Sequence, residues 1–152
     1  MRLVRTLVLS SLAALFLLRV IGQFVVALFG VAFLPPIAEW QSGLLPYPWL
    51  LTSQIVILGL QTLISRDLWR GVGFFAVSRP RFGSFLRWFS VLYFASMVLR
   101  YTLTMTFYPE RRWFSGTIPI FFHCVLAAYL FVLSLYHNGR PFTSTVPEQA
   151  PG

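Results

Sequence analysis

Four long apolar runs, separated by short polar segments, organise the chain. They span residues 7–34, 49–65, 88–108 and 117–136. A bilayer core about 30 Å thick is crossed by roughly 20 apolar residues in a helix, so each run is close to the length of one crossing. Pro35-Pro36 ends the first run, and Pro46-Tyr47-Pro48 precedes the second. The pattern predicts an all-α fold, an integral membrane four-helix bundle.

The composition of the chain agrees with this prediction. Of its 152 residues, 57% are hydrophobic and 11% are charged, whereas soluble domains contain about 25% charged residues. One core in a chain of this length cannot bury so much apolar surface, and the surplus is expected to meet lipid. We predict a single transmembrane domain over residues 1–137 and a disordered cytoplasmic tail over residues 138–152, which is rich in Pro, Thr and Gly.

The distribution of arginine predicts the orientation of the helices. The 12 basic residues are all arginine; Arg2 and Arg5 precede the first run. Those between the second and third runs are Arg66, Arg70, Arg79, Arg81 and Arg87. Because basic residues concentrate in cytoplasmic loops, the amino terminus, the middle loop and the tail are expected in the cytoplasm. Arg111 and Arg112 argue for the opposite orientation. We expect a multi-pass protein of the inner (plasma) membrane, with its middle loop on the cytoplasmic headgroups.

Aromatic residues flank the same runs, as is typical of membrane interfaces. The residues expected at the outer interface are Trp40, Tyr47, Trp49, Tyr108 and Trp113. Those expected at the inner interface are Trp69, Trp88 and Tyr136.

The first run has an alternative interpretation as a secretory signal. Arg2 and Arg5 followed by an apolar stretch resemble the first two regions of such a signal. Arg19 follows without a small-residue cleavage site, and the apolar run then resumes. Gly30-Val31-Ala32 is left as a distant processing site.

Polar residues inside the runs form one stripe on each helix. Arg19 and Gln23 are four residues apart, Gln54, Gln61 and Ser65 share a face, and Tyr93, Ser96, Arg100 and Thr104 follow the helical repeat. Ionisable residues are costly in hydrocarbon, so these stripes are expected to face a common interior. At about 1.5 Å per residue, one polar cluster lies within roughly 6 Å of the membrane midplane. Its members are Arg19, Gln23, Gln54, Arg100 and His123.

The cluster contains two guanidinium groups and no carboxylate. Three kinds of partner can balance them: the glutamines, Ser96 and backbone carbonyls; Glu39 or Glu110 folding into the mouth of the bundle; or an anionic ligand such as a lipid headgroup or a carboxylate. Polar residues at this depth act as interhelical contacts, as a ligand site or as contacts with another subunit. The sequence leaves these three interpretations open.

Several chemistries are disfavoured by the residues themselves. No catalytic motif is found, and the absence of lysine excludes Schiff-base chemistry. Cys124 is the only cysteine, and its spacing to His123 does not suit a metal, so no metal or cofactor is predicted. His137 lies about 21 Å along the helix from His123, which excludes bis-histidine haem ligation. A proton relay through His123 has no carboxylate partner. Arginines that lie between apolar runs reflect topology rather than nucleic-acid binding.

One part of the sequence resembles a known family. Arg19 and Gly22 within residues 18–22, followed by Trp40 and Gly43-Leu44-Leu45-Pro46 within residues 39–48, resemble the opening of small DoxX-like proteins and of carboxylase-related HTTM-type membrane domains. The size of the chain suits the DoxX-like group, and the catalytic lysine of the carboxylase group is missing. The resemblance implies a four-helix membrane bundle, in some cases linked to quinone-dependent redox systems.

Two functional hypotheses follow from these observations. The first is a non-catalytic subunit or accessory factor, which partners other membrane subunits or a second copy of itself. The second is a module, or an enzyme, that handles an anionic lipid or a quinone-like amphiphile in the polar cluster. A transporter is less favoured, because the chain shows no internal repeat and no acid within the membrane.

Overall fold

The computed structural model describes residues 2–40, 46–107 and 117–139. Over these residues the chain is helical apart from its connections. The helices are α1 (Arg2–Phe29), α2 (Ile37–Trp40), α3 (Tyr47–Arg70), α4 (Pro80–Phe107) and α5 (Thr117–Asn138). Four of the helices in this described part are long and apolar enough to span a membrane, and no strand accompanies them, which confirms the predicted all-α fold with four such helices. The predicted tail beyond residue 139 lies outside the described residues.

The helix ends differ from the ends of the apolar runs. α1 stops at Phe29 because Gly30 takes a left-handed conformation with φ of 56°, which glycine adopts without steric cost. α3 continues past its apolar run to Arg70 and ends at Gly71, another left-handed glycine. α4 begins at Pro80, well before the predicted run, because proline suits the first turn of a helix. The middle loop therefore contains only residues 71–79.

The four long helices pack in the order α3, α1, α5, α4. α5 packs along α4 on one side and against α1 on the other, and α1 also contacts α3. Among the described residues, α3 makes no close backbone approach to α4 or to α5. α1 and α5 therefore form the middle of the bundle, and α3 and α5 face each other across a gap that side chains fill.

The apolar core lies at one end of the bundle, which we call the closed end. Here α1 and α4 begin and α3 and α5 finish. Its buried side chains come from all four long helices: Leu9, Ile64, Leu68, Leu86, Tyr129, Leu133 and Tyr136. Leu12 and Phe75 are among the partly buried side chains that extend this core. The opposite end, where α1 stops and α3 and α5 begin, is called the open end.

The middle loop folds across the closed end and is held by a buried acid. Asp67, in the last turns of α3, accepts a hydrogen bond from the backbone N–H of Phe75 at 3.3 Å. Gly73 has φ of 116° and lies directly against the Asp67 carboxylate, so a larger residue would collide with it. Asp67 is therefore a structural residue that shapes the loop.

Hydrogen bonds also join this loop and α1 to the last turn of α5. The Tyr136 hydroxyl donates to the carbonyl of Ala76 at 3.2 Å, and Ser78 Oγ donates to the carbonyl of His137 at 2.7 Å. Arg5 Nη1 donates to the carbonyl of Leu135 at 2.8 Å. The bonds to Leu135 and His137 satisfy carbonyls that the end of α5 leaves unpaired, and the arginine also complements the helix dipole.

Candidate functional site

Arg19 is the buried cation of the open end. Its side chain is 7% exposed, and Nη2 donates a hydrogen bond to the carbonyl of Trp40 at 3.1 Å. The guanidinium carbon lies 5.6 Å from the centroid of the Phe122 ring, within range of a cation–π interaction. Its Nε is buried and finds no hydrogen-bond partner among the described residues. The charge is thus contacted by a carbonyl dipole and an aromatic ring, and the buried Nε donor is left without a partner in the described chain.

Gly22 explains how the carbonyl of Trp40 reaches Arg19. The Trp40 indole lies against Gly22, where a Cβ would come within 2.9 Å of Cη2 of the indole. The indole N–H donates to the carbonyl of Pro35 at 2.9 Å, which fixes the short helix α2 over α1. Trp40, which was predicted at the outer membrane interface, is 8% exposed, because the missing side chain of Gly22 opens a slot for it.

Gln23 and Gln54 join α1 to α3 beside Arg19. Gln54 Nε2 donates to Gln23 Oε1 at 3.0 Å, and the two side chains are only 3% and 1% exposed respectively. Each amide keeps one buried atom without a partner in the described chain, Gln23 Nε2 and Gln54 Oε1. A buried unpaired amide atom costs free energy, about 1 to 3 kcal/mol in soluble proteins. Such atoms are places where a water or a ligand can bind with a net gain.

His123 joins the site from α5 and is held from the far side by α4. Its Nδ1 shares a hydrogen bond of 2.5 Å with the Tyr93 hydroxyl, and the two rings meet edge to face with centroids 5.9 Å apart. Tyr93 therefore fixes the orientation of the imidazole. Only Nδ1 of the ring takes part in a hydrogen bond with the described residues.

Arg19, Gln54 and His123 line one small cavity between α1, α3 and α5. Its volume is about 70 Å³, and one water occupies about 30 Å³ in the liquid. The other lining residues, most of them apolar, are Phe16, Leu50, Ser53, Ile57, Pro119, Phe122 and Leu126. Pockets for drug-sized ligands measure about 300 to 1,000 Å³. The cavity is therefore small beside such pockets, and a small polar group such as a carboxylate suits it better than a quinone ring.

The cavity carries positive charge without a carboxylate from the described residues on its wall. Of the partners predicted for the guanidinium groups, a backbone carbonyl is found, whereas the glutamines bond to each other and Ser96 Oγ donates to the carbonyl of Tyr93. Glu39 lies on α2 and does not line the cavity. Glu110 lies outside the described residues. A desolvated cation in such surroundings attracts an anion.

Arg100 is placed differently from the other four cluster residues. It is half-buried on α4, which packs against α5 and, in the described chain, makes no close backbone approach to α1 or α3. It does not line the cavity, although its charge lies close enough to the His123 ring to interact with it. Three of the predicted residues thus line the cavity, Gln23 supports them, and Arg100 sits behind His123.

A second group of polar side chains lies deeper, towards the closed end. Gln61 is 3% exposed, and neither atom of its amide has a partner in the described chain. The Tyr129 hydroxyl is buried beside Ser65. The polar stripe of α3 predicted Gln61 and Ser65. The sequence pattern did not predict Tyr129 as part of this group, because an aromatic residue within an apolar run is common. Trp40 was missed as a partner of Arg19 for the same reason.

The described residues contain no group of three His, Cys, Asp or Glu side chains placed to hold a metal ion. Cys124 is half-buried with a free thiol. No protein-family model, curated protein or solved structure matches this chain.

Proposed function

We propose that the protein crosses the plasma (inner) membrane four times, with its closed end in the cytoplasm. The apolar side chains that would be buried in a soluble protein lie on the outside here, for example Leu18 and Leu92. The arginines that begin α1, end α3 and begin α4 gather at the closed end, as expected of the cytoplasmic side.

We further propose that the open end binds a small anionic head group, a carboxylate, carried by a membrane amphiphile. The observation that carries this proposal is the Arg19 guanidinium, which is buried against a cavity with no described carboxylate on its wall. A carboxylate accepts hydrogen bonds from a guanidinium in a geometry that strengthens both. The size of the cavity favours this group over the ring of a quinone.

The gap between α3 and α5 offers an entry for such a ligand from the lipid. These helices make no close backbone approach in the described chain, and the cavity between them is lined by Leu50, Ser53 and Ile57 of α3 and Leu126 of α5. Ser53 is exposed to the surroundings of the bundle. A hydrocarbon tail can leave the cavity along these mostly apolar side chains while the head group stays beside Arg19.

The proposal is tested with palmitate as the probe. The full chain is purified in mild detergent, and binding of radiolabelled palmitate is measured by scintillation proximity, with hexadecanol as a competitor of equal chain length and no charge. Palmitate should bind saturably, and hexadecanol should compete at least tenfold less well, because hydrogen bonds to charged groups contribute about 1.5 to 3 kcal/mol.

Two variants with the same loss of charge distinguish an effect of the cavity from a general effect of removing a positive charge. Arg19→Gln should lower palmitate affinity at least tenfold, whereas the control Arg100→Gln, outside the cavity wall, should keep it within about threefold. Because Arg19 also holds Trp40, Gln54→Leu is a second variant that alters the cavity without touching that contact. Equal binding by the wild type, Arg19→Gln and Gln54→Leu would contradict the proposal.

A role as an accessory subunit is the second candidate, favoured by α4. Among the described helices this helix makes a close backbone approach only to α5, and the rings of Phe85, Phe89 and Tyr93 stack along it at centroid distances of 6.0 and 5.9 Å. A photoreactive amino acid at Phe85 tests this role in native membranes, with Leu63 on α3 as the control position. A single cross-linked protein partner from Phe85 alone supports it; labelling of lipid from both positions contradicts it.

A relationship to the DoxX-like proteins also remains a proposal. Arg19, Gly22 and Trp40, which carry it, form one packing unit. That contact supports the interpretation that these residues belong to the motif because they pack together, rather than because they bind a ligand.

A further inference from the structure

A polar pocket lies at the closed end, on the far side of the bundle from Arg19. It has a volume of about 520 Å³ and is lined by Ser84, Arg87, Trp88, Val91 and Asn138. Asn138, the last residue of α5, is held against α4 because Gly83 has no side chain; a Cβ there would overlap the Asn138 amide. These two helix segments thus build a pocket whose lining includes one cation, Arg87, from the described residues.

An apolar groove of about 260 Å³ continues along the same two helices. Its lining residues are Ser90, Val91, Phe94, Ala127, Ala128 and Phe131. The small side chains of Ala127 and Ala128 form its floor between larger aromatic walls. Ser90 does not make the groove polar, because its hydroxyl donates to the carbonyl of Arg87 at 2.8 Å. Val91 lines both the pocket and the groove, so the two are adjacent.

Arg87 differs from several other arginines of the closed end. Arg5 is hydrogen bonded to the carbonyl of Leu135, Arg66 lies 3.8 Å from the Asp67 carboxylate, and Arg79 covers the Phe74 ring at 3.6 Å. The Arg87 side chain is exposed and has no partner among the described residues. Its charge is therefore available to a ligand in the pocket.

We propose that the pocket and the groove together bind one anionic phospholipid of the cytoplasmic leaflet. The phosphate pairs with Arg87, the Ser84 hydroxyl and the Asn138 amide offer hydrogen bonds to the head group, and one acyl chain lies in the groove. From Arg87 to Phe94 the helix rises about 10 Å, so the chain enters the groove one to two turns below the head group. Trp88 is 77% exposed beside the phosphate, a position that suits an indole at the membrane interface.

This site is independent of the proposed carboxylate site. It lies at the other end of the bundle, on α4 and the end of α5, and it shares no lining residue with the cavity at Arg19. Either site can fail its test while the other passes.

The experiment uses Trp88 as a reporter in the full chain reconstituted into vesicles. The vesicles consist of unbrominated lipid with a fixed fraction of brominated lipid, in which brominated phosphatidylcholine is replaced stepwise by brominated phosphatidylglycerol. The part of the tryptophan fluorescence quenching that is lost in Trp88→Phe is assigned to Trp88. One basic residue near the membrane surface contributes a preference of about three- to fivefold for an anionic lipid. We expect this preference at Trp88, and we expect Arg87→Gln to reduce it to about one.

Two further variants make the result specific. Arg70→Gln removes an exposed arginine at the closed end of α3, outside the pocket lining, and should leave the preference unchanged. Ala128→Leu fills the groove and should weaken quenching at Trp88 by both brominated lipids. The proposal is overturned if Trp88 shows no preference in the wild type, if Arg87→Gln keeps it, or if Arg70→Gln lowers it equally.

Discussion

The two ends of the bundle are built from the same helices, yet they satisfy their buried groups in different ways. At the closed end, Leu9 and Leu133 pack in an apolar core, and the loop over residues 71–79 bonds to the end of α5. At the open end, a cation and two amides lie around a cavity, and several of their atoms have no partner in the described chain. The comparison indicates that one end holds the fold and the other is available for binding.

The closed end has exceptions: the Tyr129 hydroxyl is buried without a hydrogen-bond partner in the described chain, and so are polar atoms of Gln61 and Ser65 beside it. His137 is another. Both of its ring nitrogens are buried without a hydrogen-bond partner in the described chain, and the ring is enclosed edge-on by Phe82 and Tyr136. The closed end therefore tolerates a polar group where aromatic packing surrounds it. At the open end the unpaired atoms Arg19 Nε and Gln54 Oε1 belong to residues that line a cavity, which is the arrangement expected of a site.

The largest expected effect comes from shortening one leucine to alanine at each end of the bundle and comparing the two losses of stability. Leu133→Ala should lower the free energy of unfolding by about 2 to 5 kcal/mol, because it opens a cavity in a packed core. Leu126→Ala should cost less, about 1 kcal/mol, because Leu126 is only half-buried and therefore loses less burial of apolar surface. Unfolding by sodium dodecyl sulfate, followed by circular dichroism, measures both. Equal costs would remove the distinction between the two ends.

A smaller effect is expected from filling the slot for Trp40. Gly22→Ala should cost about 1 to 3 kcal/mol, because its Cβ collides with the indole ring. Gly59→Ala is the matched control: nothing lies within 4 Å of its new Cβ, and alanine favours a helix over glycine by about 1 kcal/mol. Iodide quenching should show that Trp40 becomes accessible only in Gly22→Ala. If both variants behave alike, Trp40 does not occupy that slot.

The smallest effect concerns the pair of amides. In membranes, interhelical hydrogen bonds average about 0.6 kcal/mol in double-mutant cycles. Gln23→Leu and Gln54→Leu should each destabilise the bundle, and the double variant should be less unstable than their sum, since it leaves no amide unpaired. The same unfolding assay applied to all three variants gives the coupling energy. Strict additivity would show that the two side chains do not interact.

Much of this arrangement could be predicted from the spacing of residues along single helices. Long apolar runs indicate four helices able to span a membrane, and the four-residue spacing of Arg19 and Gln23 places them on one face of α1. Such spacing says which residues share a face, but not which helix lies opposite. The stripe of α4 therefore suggested a common interior, whereas in the structure Arg100 lies near His123 on a helix whose one close backbone approach, among the described helices, is to α5.

Contacts between distant segments were the part that sequence could not supply. The short helix α2 and the burial of Trp40 depend on a match between an indole and the missing side chain of Gly22. The spacing of apolar and polar residues along the chain does not indicate such a contact. The early start of α4 was also missed, because Arg81 and Arg87 are exposed polar residues that interrupt the apolar pattern without interrupting the helix.

The central claim is that Arg19 at the open end receives the carboxylate of an amphiphile. Solid-state NMR on the reconstituted protein tests it most directly, with palmitate labelled by 13C at the carboxyl carbon and arginine labelled by 15N. We predict a dipolar coupling that corresponds to a contact within about 4 Å, the range of an ion pair, and that disappears in Arg19→Gln but persists in Arg100→Gln. A coupling that survives in Arg19→Gln, or no coupling in the wild type, would contradict the account.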